Sequence, residues 1–101
     1  MIPKVGDRVY LNSEFVSVYL KTRGDYWVKP FIGKELEVVR TSSNVDMHGH
    51  KINPIFAHHS VRFKIVGTSL NDPVTQCNVG VDLGGRQHGI CHPVFEVINS
   101  N

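Results

Sequence analysis

The sequence predicts an all-β fold, and three observations carry that prediction. Residues 61–65 read Val-Arg-Phe-Lys-Ile, apolar at every second position, which is the mark of a strand with one buried face. Residues 79–83, Val-Gly-Val-Asp-Leu, repeat the period. Prolines at 3, 30, 54, 73 and 93 interrupt most places where a helix would run, and no window of eleven residues shows a clean apolar period of 3.6.

In chain order, "VGDRVYL" at 5–11 places Val5, Val9 and Leu11 on one face of a first strand. "SVYLKTR" and "YWVKP" then read as two arms about a Gly24-Asp25 turn within a long first excursion. "GKELEVVR" at 33–40 leaves a glycine turn as a strand with Leu36 and Val38 together. Residues 41–60 and 67–76 lack periodicity and carry Asn, Ser, Gly, Asp and Pro, so loops are expected there. After the strand at 61–65, Val79, Val81 and Leu83 face inward with Gly80 and Asp82 outward. Gly84-Gly85 supplies a tight turn, and "RQHGIC" is expected as the returning arm of a hairpin. Pro93 starts a turn, Phe95 and Val97 close the core, and 99–101 is expected to fray.

The chain has 101 residues, 41% of them apolar, enough for one core and too few for two, so residues 1–98 are expected to form one domain. Eleven basic against nine acidic residues leave a net charge of +2, so any nucleic-acid surface has to be local. No apolar run approaches a membrane span and the start "MIPKVGDRVYL" lacks a secretory plan, so a cytoplasmic protein without membrane attachment is expected. The two cysteines, Cys77 and Cys91, are expected as free thiols.

The succession "VGDRVYL", "GKELEVV", "VRFKIVG", "VGVDLGG" and "HPVFEVI" resembles the strands of an SH3-like barrel of the KOW and Tudor type. Gly6-Asp7-Arg8-Val9 matches the opening strand common in those barrels, and Pro93 the turn before the closing strand. The glycine-rich KOW signature is absent around "GKELEVVRTSS", so a ribosomal or transcriptional role does not carry over. The resemblance implies a barrel of five to six strands with long first and middle loops; a barrel of this length has little material for an oxyanion site and a substrate cleft, so a binding module is expected in place of an enzyme. The compact, linker-free plan is also similar to small accessory proteins of tailed phages.

Two residue groups are candidates for a site. In "YLKTRGDYWVKPF", Tyr26 and Trp27 stand among Lys21, Arg23 and Lys29, a mixture suited to base stacking with phosphate contacts, or to an aromatic-anchored protein interface. The plain alternative makes Trp27 and Phe31 a plug at one end of the barrel with Tyr26 shielding it, and the two readings agree if Trp27 is buried and Tyr26 exposed. The low net charge favours a protein partner over nucleic acid. The second group is "HGICH", which with the hairpin offers Cys77, His88, Cys91 and His92 as a zinc set or a Cys-His pair for nucleophilic chemistry. Neither spacing is a signature, and in a regular strand His88 and Cys91 would point to opposite faces. The expectation is therefore no metal, no cofactor and no catalytic residue, with surface histidines and Cys91 buried as a small apolar group.

Overall fold

The computed structural model describes residues 2–45, 50–51, 58–87 and 89–99. It holds β1 (Arg8–Leu11), α1 (Ser13–Arg23), β2 (Leu36–Val45), β3 (His58–Ile65), β4 (Gln76–Val81) and β5 (Phe95–Asn99), with 3-10 turns at Lys29–Phe31 and Pro73–Thr75. The strands form one five-stranded antiparallel sheet in the order β4-β3-β2-β1-β5. All-β describes it in the main. The sheet is open, with β4 and β5 at its two edges, so the closed barrel is not seen.

The alternation at 61–65 does what it predicts. Val61 and Phe63 are fully buried, Ile65 packs beside them, and Arg62 and Lys64 take the other face. Val9, Leu11, Leu36 and Val38 join the same core from β1 and β2. The opening Gly6-Asp7 is a lock as much as a strand start. Gly6 takes φ 92°, the Asp7 carboxylate accepts the Lys4 N–H at 2.9 Å, and its backbone pairs with Val38.

Several expectations are corrected. The chief one is α1, which replaces the first arm of the expected hairpin. Asn12 caps it, its side-chain oxygen accepting from the Glu14 and Phe15 N–H groups at 3.0 Å each. Phe15, Val16 and Tyr19 turn one stripe into the core, and Gly24 ends the helix at φ 80°. Gly24-Asp25 is thus a helix stop, not a hairpin turn. Six aromatic rings then meet in one cluster, with Phe63 4.9 Å from Phe31, 5.3 Å from Phe95 and 6.1 Å from Trp27, and Phe15 and Tyr19 against Trp27.

At the other end, "RQHGIC" is not a strand among its described residues. The turn at 82–86 is held by Asp82, whose carboxylate accepts the Gly84 and Arg86 N–H groups at 2.9 Å. The chain then runs to β5 beside β1 instead of returning along β4. Leu83, expected inward, is 82% exposed because β4 has already ended, while Gly80 is buried. Val5 is likewise exposed, ahead of the start of β1. Part of the expected loop at 41–60 is sheet, since β2 reaches Val45 and β3 begins at His58. β5 includes Asn99, the first residue of the expected tail.

Candidate functional site

The first candidate group straddles the last turn of α1 and the turns that follow it. Lys21 and Arg23 occupy the last turn of α1, where cations oppose the negative end of the helix, and their side chains are exposed. Tyr26 is 81% exposed three residues beyond Arg23. Lys29 stands in the following turn, 3.9 Å from Asp25 in an exposed pair that adds little stability. Trp27 faces the other way. Its ring stacks against the core aromatics, and its indole N–H donates to the Tyr19 hydroxyl. Burial raises the Tyr19 pKa above its ordinary value, and the Trp27 hydrogen bond opposes that shift. Of the two neighbouring aromatics, one is core and one is surface.

The second group is scattered. Cys77 sits on β4, partly buried on the core side, and burial pushes its thiol pKa up, with an Asn78 backbone hydrogen bond and Arg62 opposing. It is a poor source of thiolate. Cys91 is exposed, which corrects the expectation of a buried cysteine: the chain at 89–92 bends over the surface, and Ile90 takes the inward position. The His92 Nδ1 lies 3.2 Å from the Glu14 carboxylate on α1. His88 lies outside the described residues. Cys77, Cys91 and His92 do not converge, and among the described residues no three His, Cys, Asp or Glu side chains are placed to share an ion.

One part of each group does meet. Residues 89–92 pack along α1, and between them lies a cleft of about 330 Å³ lined by Val18, Thr22 and Arg23 from the helix and Gly89, Ile90, Cys91 and His92 from the loop. Its floor is apolar, from Val18 and Ile90, and Arg23 stands at its edge with no carboxylate partner among the described residues. The loop wall is fixed from behind, because Arg86 Nε donates to the Cys91 carbonyl at 2.7 Å and Glu14 holds His92. No spacing in the sequence announces this juxtaposition, because it depends on an unpredicted helix.

A further pair escapes sequence reading for the same reason. Ser43 Oγ lies 3.2 Å from His59 Nδ1, joined by β2–β3 pairing across sixteen positions of sequence. In a Ser-His-Asp triad an acid orients the histidine. Among the described residues none is hydrogen-bonded to His59.

Comparison with known proteins returns no match: no family model, curated protein or solved structure matches this chain.

Proposed function

We propose that this protein is a non-enzymatic binding module that takes an acidic protein segment with an apolar anchor at the C-terminal end of α1. The carrying observation is the cleft between α1 and residues 89–92, an apolar floor with Arg23 at its edge and Tyr26 exposed beyond it. Lys21, Arg23 and Lys29 supply positive charge at the end of α1, while among the described residues the Asp25 carboxylate lies against Lys29 and the Glu14 carboxylate against His92. Tyrosine and arginine are among the residue types enriched at the energetic centres of protein interfaces. The SH3-like relationship is part of the same proposal. A last strand that returns to pair with the first supports it, and on that reading α1 and residues 24–31 fill the long first connection, the ligand-facing rim.

Nucleic acid is the second reading, kept by the same cations. It is weakened by Trp27, whose face is occupied by Phe15, Tyr19 and Phe63, so the stacking platform shrinks to Tyr26. Affinity capture with the wild-type chain and with the double variant Arg23→Glu, Tyr26→Ala, followed by titration of the captured partner at 50 and 200 mM salt, separates the readings. An acidic protein lost by the double variant is the expected result. Three phosphate contacts on a single strand would cost about 20-fold in affinity over that salt range. Retained capture by a folded double variant moves the site elsewhere.

A further inference from the structure

The face of the sheet opposite α1 holds an arrangement that strand alternation does not account for. Arg40 on β2 and Arg62 on β3 are directly opposed in the register. Like charges opposed across two strands repel and weaken a sheet. Two other cations on or beside this face are matched, Lys64 lying 3.6 Å from Glu37 and Arg8 3.0 Å from Glu35. Among the described residues no carboxylate pairs with Arg40 or Arg62.

Arg62 is nevertheless held in place, by a neutral group. Its Nε and Nη2 donate to Gln76 Oε1 at 3.1 and 2.6 Å. Gln76 is itself anchored, its Nε2 donating to the Leu70 and Asp72 carbonyls at 2.7 and 3.0 Å. Orientation without neutralisation leaves the charge of Arg62 and its remaining N–H donors available. The two arginines, Gln76, Val39 and Leu70 line a hollow of about 320 Å³.

We propose that this hollow binds the phosphate group of a phosphomonoester. Two unmatched guanidinium charges call for a dianion, and a phosphomonoester carries about 1.5 to 2 negative charges at neutral pH with three acceptor oxygens. The planar guanidinium fork fits two phosphate oxygens at once. A carboxylate or a phosphodiester brings a single charge and leaves one arginine uncompensated. Val39 and the exposed Leu70 flank the hollow with apolar surface for the organic part of the ester. The site lies on the other side of the sheet from the α1 cleft and does not depend on it.

The test uses the full chain, with thermal unfolding and backbone amide NMR during titration with phenyl phosphate, inorganic phosphate, acetate and a short single-stranded oligonucleotide at matched ionic strength. Phenyl phosphate is expected to raise the melting temperature and shift amides 39–40, 62 and 76, with acetate and the oligonucleotide weaker at equal anion concentration. Arg40→Gln should weaken phenyl phosphate binding about 10-fold or more, the loss of one charge-assisted contact. Gln76→Glu, which hands Arg62 a carboxylate, should abolish binding in a chain with an unchanged far-UV spectrum. Without ligand at low salt, Arg40→Gln should melt about 1 to 4 °C above wild type, because the opposed charges are relieved. An equal response of wild type and Arg40→Gln to phenyl phosphate, an equal response to acetate, or a stronger one to the oligonucleotide would overturn the assignment.

Discussion

Tyr26 and Trp27 are neighbours in sequence with opposite environments, and alanine at each position should therefore be read by different instruments. The Trp27 ring lies 6.3 Å from Phe15, 5.8 Å from Tyr19 and 6.1 Å from Phe63, and its N–H serves the Tyr19 hydroxyl. A buried tryptophan cut to alanine costs about 3 to 5 kcal/mol. Partial exposure places Trp27→Ala at the lower end, about 3 kcal/mol, since the ring already meets some water. In urea, with a slope of about 1 to 3 kcal/mol per molar, the midpoint should fall by about 1 to 3 M. Tyr26→Ala removes an 81% exposed ring and should stay within about 0.5 kcal/mol of wild type. Against the partner the order reverses, with Tyr26→Ala costing about 2 kcal/mol, or 30-fold in affinity, as an interface anchor does. Far-UV circular dichroism is the proper probe of unfolding, because Trp27 fluorescence disappears in one variant. A Tyr26→Ala chain destabilised as much as the Trp27→Ala chain would refute the separation of core from surface on which the proposed site rests.

Phe63→Ala removes the ring at the centre of the cluster and should cost about 3 to 5 kcal/mol by urea denaturation. Asn12→Ala leaves two helix N–H groups uncapped and should lower stability by about 0.5 to 2 kcal/mol, with helical signal lost first on heating. A thiol reagent should find one fast cysteine and one slow, and Cys91→Ser should leave only the slow phase, which becomes fast in denaturant. Burial raises the Cys77 pKa, so the folded chain keeps a proton that the unfolded chain releases; stability should fall as pH rises past the ordinary thiol value of 9.0.

The sheet was legible because strand alternation is local and has one period. Val61, Phe63, Val79 and Val81 declare their faces within a few residues, and the structure buries all four. The helix was not legible, since Val16, Val18 and Tyr19 favour strands and only Phe15, Val16 and Tyr19 form its buried stripe. An eleven-residue helix of that kind is marginal alone and exists by packing on the aromatic cluster. Its signals were present in Asn12 ahead of Ser13-Glu14, the four-residue spacing of Phe15 and Tyr19, and Gly24 after Lys21 and Arg23. The apolar period runs on to Leu83 although the pairing of β4 stops at Val81, and Gly84-Gly85 has the composition of a hairpin turn although the chain crosses to β1. For the candidate site, Tyr26 is exposed and Arg23 lines the cleft, and Cys91 and His92 reach it only through long-range packing that no local spacing announces.

Charge shows the same gap between sequence and fold. A net charge of +2 implies a weak field, but it counts all nine carboxylates as available. Asp7, Asp72 and Asp82 accept backbone N–H groups in turns, and Glu14, Asp25, Glu35 and Glu37 lie against His92, Lys29, Arg8 and Lys64. Of the other two, Glu96 is exposed on β5 and Asp46 lies outside the described residues. Among the described residues Lys21 and Arg23 on α1, and Arg40 and Arg62 on the opposite side of the sheet, have no carboxylate partner. Arg23→Glu and Arg40→Glu make the same change in net charge. If the average governed binding, each would weaken both ligands alike; because the charges act locally, the first should disable the protein partner and spare phenyl phosphate, and the second should do the reverse. Equal losses from both variants would mean that a diffuse field, which a Debye length of about 10 Å at 0.1 M salt opposes, governs recognition here.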